Sequence, residues 1–313
     1  MKRVLLASPR GYCAGVERAV ETVKRALSLY GSPVYVRKQI VHNSHVVREL
    51  ENAGAVFVDN VADVPKGAAV VFSAHGVAPA VRRAAEGRSL VSIDATCPLV
   101  TKVHTQARRY AEQGYRIVLI GHAGHEEVEG TTGEAPDAIV LVESVADAER
   151  IEPGGPRLAY ITQTTLSVDE TREIVAVLRR RFPHIEGPAR EDICYATSNR
   201  QWAVKELLDE VDLLLVIGSR NSSNSLRLVE VARAAGVRAH LVDDASEIDT
   251  RWLEGVAVVG VTSGASAPER LVRGVCEWFR DRGVRDVAEF RSAYEDVAFR
   301  LPVELRRAER SAA

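Results

Sequence analysis

Short apolar runs recur along the chain, and most of them end in small or polar residues that lead into an amphipathic stretch. The stretch VERAVETVKRALSLYG carries apolar residues at helical spacing and ends at Gly31, which predicts a helix. Near-continuous apolar strands that alternate with helices indicate parallel sheets with helices on both faces. The runs that we interpret as strands are RVLLAS, PVYVRKQIV, AVVFSAHG, LVSIDAT, YRIVLIGHAG, RLAYITQT, VDLLLVIGSR and VAVVGVTSG.

Three of the four cysteines divide this pattern at similar intervals. Cys13, Cys97 and Cys194 each lie where a predicted strand passes into a predicted helix. We therefore expect three similar α/β units of about 100 residues or slightly fewer, each presenting one cysteine at the carboxyl edge of its sheet, where ligands bind. The expected boundaries are 14–96, 97–193 and 194–283 together with 1–13, followed by a C-terminal tail at 284–313. The tail is charged beyond about Leu301 and is expected to be frayed at its end.

The chemistry of these cysteines stays open on spacing alone. Cys276 shares a helix face with Val272 and Phe279, so we expect it in the core. The other three open helices, whose N-termini favour the thiolate form that binds metals. Three thiolates suit an iron–sulfur cube with one iron left open for substrate, whereas a structural zinc would need a fourth protein ligand. No C-x-x-C pair decides between these sites and scattered core thiols.

Histidine, hydroxyl and amide side chains cluster after the predicted strands. Taken singly, each motif is typical of an ordinary helix cap. Taken together, they predict a ring of donors and helix N-termini that suits a phosphate or a diphosphate. Neither a P-loop nor a G-x-G-x-x-G motif is present, so a nucleotide is not indicated. The motifs are VHNSHVV, FSAHGV, GHAGHEEVEG, TQTTLS, GSRNSSNS and TSGASAPE.

The carboxylates of GHAGHEEVEG indicate a proton-transfer role. A glutamate beside histidine and glycine in a loop is suited to moving a proton, and a partly dry pocket would raise its pKa. Glu126 and Glu129 are expected at the surface. A metal site built from these glutamates and histidines is less favoured, because H-x-x-H-E-E is not a usual ligand spacing.

Composition excludes several classes of function. Of the 313 residues, 46% are apolar and 27% are charged, with a formal net charge of −2 and no basic stripe, so nucleic acid is not an expected partner. No apolar run approaches the roughly 18 residues that would predict a membrane span. Four scattered cysteines in a chain of this length are typical of a reduced, cytoplasmic protein.

Nine motifs of this chain resemble, in order and wording, those of the 4-hydroxy-3-methylbut-2-enyl diphosphate reductases, the LytB/IspH family. The resemblance runs from about residue 4 to about residue 280. It implies an α/β fold of three lobes in a pseudo-threefold trefoil around one [4Fe–4S] cluster per chain. The motifs are GYCAGVERAV, VHNSHVV, FSAHGV, DATCPLVTKVH, GHAGHEEVEGTTGE, TQTTLSVDET, DICYATSNRQ, GSRNSSNS and TSGASAPE.

The resemblance also implies a reaction, the last step of the methylerythritol phosphate route to isoprenoids. Two electrons and two protons remove the allylic hydroxyl of the substrate, which yields isopentenyl diphosphate, dimethylallyl diphosphate and water. Because no flavin or nicotinamide motif is visible, an external one-electron donor, a ferredoxin or a flavodoxin, is implied.

Site residues follow from the resemblance position by position. Cys13, Cys97 and Cys194 are the implied cluster ligands. Glu127 is the implied proton donor, Thr164 orients the substrate oxygen and Glu127, and His125 helps to relay protons. Asn221 and Thr165 are expected to support these residues. The residues implied in substrate binding are His42, His75, His125, Thr164, Ser222, Ser223, Asn224 and Ser266.

Two other hypotheses remain beside the reductase. One is a different three-cysteine [4Fe–4S] enzyme of the quinolinate-synthase kind, which would need a dicarboxylate pocket richer in arginine. The other is a zinc-stabilised α/β binding protein without catalytic activity. The ring of donors and the GHAGHEE loop argue against the first, and metal analysis would separate the second.

Overall fold

The computed structural model describes residues 2–312 as alternating strands and helices. The strands are β1 (Arg3–Ser8), β2 (Val34–Arg37), β3 (Ala55–Val58), β4 (Ala69–Phe72), β5 (Val91–Asp94), β6 (Arg116–Ile120), β7 (Ile139–Val142), β8 (Leu158–Thr162), β9 (Leu213–Ile217), β10 (Arg238–Val242), β11 (Val258–Ser263) and β12 (Asp286–Arg291). The helices are α1 (Ala14–Tyr30), α2 (Ser44–Asn52), α3 (Pro79–Gly87), α4 (Pro98–Glu112), α5 (Glu126–Thr132), α6 (Val145–Arg150), α7 (Val168–Arg181), α8 (Tyr195–Leu207), α9 (Ser223–Ala234), α10 (Glu269–Arg280) and α11 (Val303–Ala312). Four short 3-10 turns lie between them, at Val61–Asp63, Leu208–Glu210, Ala245–Glu247 and Thr250–Leu253.

All three sheets that these strands form are parallel. The first has the order β10-β9-β11-β1-β12, the second β3-β2-β4-β5 and the third β7-β6-β8. The predicted α/β class with parallel sheets is therefore confirmed.

Both faces of the first sheet are covered, which explains its near-continuous apolar strands. Leu213 and Leu215 of β9 pack into one core, together with Val272, Cys276 and Phe279 of α10. Residues in between point the other way, into a second core that includes α8 and α9. Because successive side chains of a strand alternate between its faces, burial on both faces requires apolar residues throughout. The prediction that Cys276 is a core residue is confirmed, since only 4% of it is exposed.

The third sheet shows the same alternation. Ile117 and Leu119 of β6 face a core that includes α4, whereas Val118 and Ile120 face a core that includes α7. Each carboxyl end of β6 and β8 therefore opens between two helical layers, where polar side chains can gather.

The chain divides into two compact units. One comprises the residues up to Val16, His42–Val46 and Tyr195–Ala298, and it contains the first sheet. The other comprises Glu17–Val41, Val47–Cys194 and the residues from Phe299 onward, and it contains the second and third sheets. The finer division into three lobes at 14–96, 97–193 and 194–283 stays a prediction.

Three sequence expectations differ from the structure in detail. Strands β3, β7, β10 and β12 were not among the predicted runs, and all four are short or polar at their ends. Cys194 follows a loop rather than a strand, since β8 ends at Thr162 and α7 intervenes. The charged tail, expected to fray at its end, is helical at Val303–Ala312 and buries Leu305 completely, and its last residue lies outside the described residues.

Within residues 2–312, no helix has both the length and the apolar character required to cross a bilayer.

Candidate functional site

The loop before Cys13 is fixed by hydrogen bonds within its own unit. Gly11, at φ +71°, donates its N–H to Ser263 Oγ at 2.8 Å, and its carbonyl accepts from Arg200 Nη2 at 2.8 Å. Arg200 is completely buried and pairs with Glu295 at 3.0 Å. Cys13 N donates to Ala265 O at 3.3 Å. The thiol therefore stands on a backbone whose position is set by β11 and α8.

Cys97 occupies the N-cap position of α4, with Pro98 as the first helical residue. Its N–H donates to Ala74 O at 2.9 Å, which joins it to the loop after β4. Asp94 Oδ1 accepts from the N–H of Thr96 at 3.0 Å and also from its hydroxyl, and Arg18 donates to Thr96 O at 3.0 Å. Asp94 and Thr96 therefore anchor the turn before the cysteine.

Cys194 lies directly before α8, and its backbone N–H donates to Thr164 O at 3.0 Å. Lys102 of α4 holds the preceding loop, with Nζ 2.8 Å from Arg190 O, 2.9 Å from Glu191 O and 3.1 Å from Asp192 Oδ1. This cysteine is thus tied both to the loop after β8 and to the helix that Cys97 caps.

The three cysteines fit a cluster in their chemistry. Cys13, Cys97 and Cys194 are half-buried and not disulfide-bonded, and each stands at the start of a helix. A half-buried thiol at a helix start is accessible to a metal, whereas a core thiol is not. The residues present therefore suit a three-thiolate iron–sulfur site, and Cys276, in the core, is set apart from them.

Glu127 is a buried acid of the second unit. Its side chain lies on α5 and only 1% of the residue is exposed. Thr164 N donates to Oε1 at 2.6 Å, and Thr164 Oγ1 lies 3.1 Å from Oε2. Burial raises the pKa of Glu127 to about 7, and the hydrogen bonds from Thr164 offset only part of that effect. The structure thus brings these two predicted residues together and keeps the acid protonated up to near-neutral pH.

His125 begins the same helix as its N-cap. Its Nδ1 accepts the N–H of Glu127 at 3.1 Å, so the neutral ring carries its proton on Nε2. Burial lowers the pKa of His125 to about 3, and the nearby charges of His75 and His122 act in the same direction. A neutral imidazole at this position can donate from Nε2 without bringing in a positive charge.

His75 lies in the loop after β4 and contacts α5. Its Nδ1 is 3.1 Å from Glu126 Oε2, and its ring meets that of His125 edge-on at a centroid distance of 5.8 Å. Burial acts to raise the pKa of Glu126, but the hydrogen bond and charge of His75 outweigh it and lower the pKa. The expectation of a surface position is therefore wrong for Glu126, whereas Glu129 is exposed as expected.

A second polar cluster lies in the first unit, where α9 begins. Ser222 caps this helix and accepts from the N–H and the hydroxyl of Ser225 at 3.3 and 3.0 Å. Ser266 Oγ donates to His42 O at 2.9 Å and lies 3.4 Å from Ser222 Oγ. Asn224 Oδ1 accepts from Ala265 N at 2.9 Å. The segments that follow the adjacent strands β9, β11 and β1 thus carry Ser222, Ser223, Asn224, Ser266 and Cys13. Asn221 Nδ2 lies 3.3 Å from His42 Nδ1.

Each unit collects its own share of the predicted residues. The first holds Cys13, His42, Asn221, Ser222, Ser223, Asn224 and Ser266, and the second holds His75, Cys97, His125, Glu127, Thr164, Thr165 and Cys194. Sequence reasoning missed Lys102 and the pairing of Glu126, and it placed Ser225 among the donors of GSRNSSNS without a role of its own. Lys102 lies inside the quoted motif DATCPLVTKVH, and Ser225 closes GSRNSSNS, but neither motif indicates which of its polar residues is buried.

Parallel α/β sheets whose carboxyl ends carry reduced thiols, helix-capping hydroxyls and a buried acid define an enzyme of the layered α/β class. The LytB protein family matches residues 4–280, the range that the motifs predict. The chain belongs to this family.

Relatives and solved structures agree with this placement. The 4-hydroxy-3-methylbut-2-enyl diphosphate reductase of Acidothermus cellulolyticus is 63% identical over 308 residues, which cover 98% of this chain and 91% of that protein. The enzyme of the same name from Nocardia farcinica is 60% identical over 307 residues, with 97% and 91% covered. A solved structure of the E-1-hydroxy-2-methyl-but-2-enyl-4-diphosphate reductase from Plasmodium falciparum superposes with a TM-score of 0.97 at 39% identity, covering 99% of each chain.

Proposed function

We propose that this chain is an iron–sulfur oxidoreductase that removes the hydroxyl of (E)-4-hydroxy-3-methylbut-2-enyl diphosphate. The reaction consumes two electrons and two protons and gives isopentenyl diphosphate, dimethylallyl diphosphate and water. It is the last step of the methylerythritol phosphate pathway. The observation that carries the proposal is the buried acid Glu127 on Thr164, in a chain of the LytB family.

Cys13, Cys97 and Cys194 are the residues that would hold a [4Fe–4S] cluster. When bound, a cluster with three thiolate ligands supplies single electrons and an iron that acts as a Lewis acid on the leaving oxygen. The half-buried position of each thiol and its place at a helix start support this assignment.

Substrate binding is assigned to neutral donors rather than to lysine or arginine. We assign the diphosphate to helix starts and to side chains that donate hydrogen bonds, and the N-terminus of α9 adds the positive end of its helix dipole. His125 contributes a neutral Nε2–H, as its low pKa requires. The binding set is His42, His75, His125, Thr164, Ser222, Ser223, Asn224 and Ser266.

Proton delivery is assigned to Glu127. A carboxylic acid with a pKa near 7 is protonated in a large share of molecules at neutral pH and can still release its proton. Thr164 fixes both carboxyl oxygens, so the acid has one orientation. The Thr164 hydroxyl, next to Oε2, is placed to hold a substrate oxygen at the same carboxyl.

The electrons come from outside the chain. We propose a ferredoxin or a flavodoxin as the donor, because the family resemblance implies one and the sequence carries no flavin or nicotinamide motif. We also propose a cytoplasmic location, which the four reduced cysteines support.

The test is a substitution on α5 with a matched control. Glu127→Gln keeps the shape of the side chain but removes the titratable proton, and Glu129→Gln makes the same change at an exposed position of the same helix. With the allylic diphosphate and a chemical reductant, we expect Glu127→Gln to lose at least about 100-fold in kcat and Glu129→Gln to match the wild type. Equal turnover by both variants would remove Glu127 from the mechanism.

The two other hypotheses are less favoured, because the matching relatives are reductases that carry the same name. Iron and sulfide analysis of anaerobically purified protein separates them. Zinc without iron would support a binding protein, and turnover of a dicarboxylate in place of the diphosphate would support the quinolinate-synthase kind.

A further inference from the structure

His104 of α4 is a buried histidine to which no role has been assigned so far. Only 2% of it is exposed, and it lies between two segments of the second unit. One is the loop 73–78 after β4, which carries His75. The other is helix α5, which carries Glu126 and Glu127.

The His104 ring packs so closely against Gly76 and Gly130 that neither glycine has room for a methyl group. A Cβ added at Gly76 would lie 2.9 Å from His104 Cε1 and 3.0 Å from Nε2, and Gly76 also has a φ of +85°. A Cβ added at Gly130 of α5 would lie 3.2 Å from Cε1 and 3.3 Å from Nε2. Real Cβ contacts are seldom that short, so both backbones rest directly on the same edge of the imidazole.

Close packing continues beside the ring. A Cβ at Gly130 would also come within 3.3 Å of the carbonyl carbon of Gly76, and one at Gly133 within 2.3 Å of Ala78 Cβ. The loop and the helix therefore touch each other as well as His104. At one end of this contact, His75 Nδ1 and Ser73 Oγ reach Glu126 Oε2 at 3.1 and 3.4 Å.

The neighbouring Nδ1 position of the ring is fixed by hydrogen bonding to a charged group. His104 Nδ1 lies 2.7 Å from Glu134 Oε1, and Arg108 Nη1 lies 2.8 Å from the other carboxyl oxygen. Burial acts to raise the pKa of Glu134, but the hydrogen bonds from His104 and Arg108 outweigh it and lower the pKa, so Nδ1 donates to a carboxylate. Within the described chain, Nε2 has no hydrogen-bond partner. Hydrogen bonding therefore holds Nδ1 of His104, and the Cε1–Nε2 edge makes only packing contacts with the two backbones.

We propose that His104 is a positioning residue that fixes the spacing between the His75 loop and helix α5. Through this spacing it sets where His75 meets Glu126 and where Glu127 meets Thr164. An imidazole serves this purpose because it combines a directional bond to Glu134 with a flat, rigid edge of fixed size. The inference rests on the proposed function, since it assigns a role for the same acid.

Three variants separate the shape of the ring from its charge. His104→Asn keeps a donor toward Glu134 but removes the edge that touches Gly76 and Gly130. Glu134→Gln keeps the ring and an acceptor but removes the carboxylate charge. His184→Asn makes the same chemical change as the first variant at an exposed position.

The readouts are steady-state kinetics over pH and hydrogen–deuterium exchange of residues 73–78 and 126–132. For His104→Asn we expect a loss of about 10- to 100-fold in kcat, faster exchange in both segments, and a basic limb of the pH–rate profile moved to lower pH. The basic limb moves because water that reaches Glu127 lowers the pKa that burial had raised. The groups that act electrostatically on Glu127, His75 and Asp192, are unaltered in the variant. Glu134→Gln and His184→Asn should keep the wild-type limb.

Folding and cluster loading are checked by circular dichroism and by iron and sulfide counts. If His104→Asn is folded and fully loaded and reproduces the wild-type kcat, limb and exchange, the inference is overturned. If the wild type itself fails to turn over the allylic diphosphate, the proposed function fails instead, while exchange still tests the contact.

Discussion

Lys102 pairs with Asp192, whose side chain is completely buried, at a distance of 3.1 Å between Nζ and Oδ1. Thr162 N donates to the other carboxyl oxygen at 3.1 Å. Lys102 stands on the helix that Cys97 caps, and Asp192 stands two residues before Cys194. One ion pair therefore joins the two segments of the second unit that carry the proposed cluster ligands Cys97 and Cys194.

Removing the lysine should loosen the cysteine loop. Lys102→Met leaves a buried carboxylate without its cation and frees two backbone carbonyls, at a cost of about 1–3 kcal/mol in the free energy of unfolding. We expect a lower iron and sulfide content per chain after anaerobic purification and faster loss of cluster absorbance in air. Lys66→Met changes an exposed lysine and should retain the wild-type content. Equal cluster retention by the two variants would contradict a role for this pair.

Strands buried on both faces could be predicted from the sequence because their apolar runs are unbroken. β1, β6, β9 and β11 all fall inside predicted runs. The missed strand β12 reads DVAEFR, with only partial burial, at the edge of its sheet. An edge strand buries less surface, so its sequence carries a weaker apolar signal.

The contacts of the candidate site could be expected from the family resemblance but not from local sequence patterns. The pairing of Glu127 with Thr164 joins residues 37 positions apart; the resemblance implies it, whereas no periodicity carries that information. Glu126 was expected at the surface because glutamate is usually solvated, and its contacts with His75 and Ser73 explain why it is half-buried. Cys194 was expected after a strand, whereas Lys102 and the loop after β8 hold it instead.

The pH dependence of turnover should report the protonation of Glu127. Since a proton donor is active in its protonated form, kcat should fall about tenfold per pH unit above the pKa of Glu127, which is about 7. The measurement is kcat from pH 6 to pH 9 with a chemical reductant whose potential is held constant. A flat profile through pH 8 would contradict the assignment.

The free energy of unfolding should fall as pH rises, because Glu127 loses its proton. The folded pKa of about 7 is higher than the ordinary value of 4.5, so the folded state binds the proton more tightly than the unfolded state. The wild type should therefore lose about 3 kcal/mol of unfolding free energy as pH rises from below 4.5 through 7. Glu127→Gln has no proton to lose and should become the more stable protein above pH 7. Urea unfolding of both across this range checks the sign, and Glu129→Gln should follow the wild type.

His125 caps helix α5 and is also a proposed hydrogen-bond donor to the diphosphate. Two substitutions separate these two roles. Asparagine is a good N-cap, so His125→Asn should preserve the start of α5, whereas His125→Leu loses the bond to Glu127 N and about 1 kcal/mol of stability. Both lack Nε2–H and should raise KM for the diphosphate. Thermal unfolding and kinetics of the pair test this division. A KM that rises only in the leucine variant would assign His125 to capping alone.

The hydroxyl of Ser225 occupies a space that two glycines leave open. A Cβ at Gly264 would lie 2.0 Å from Ser225 Oγ, and one at Gly218 would lie 2.2 Å from it. Ser225 is fully buried and donates to Ser222, the cap of α9. Gly264→Ala should therefore push Ser225 away and displace the cap, with a rise in KM and a loss of about 1–3 kcal/mol in stability.

Ser225→Ala should partly rescue that variant. It removes Oγ and leaves Ser225 Cβ 3.1 Å from the new methyl, a tight contact that small shifts can relieve. The double variant should then be more stable and bind substrate more tightly than Gly264→Ala alone, although Ser225→Ala by itself loses a buried hydrogen bond. A double-mutant cycle of unfolding free energies and KM measures this coupling. Additive effects would mean that the glycine is required for another reason and that the Ser225 hydroxyl does not set the position of the cap.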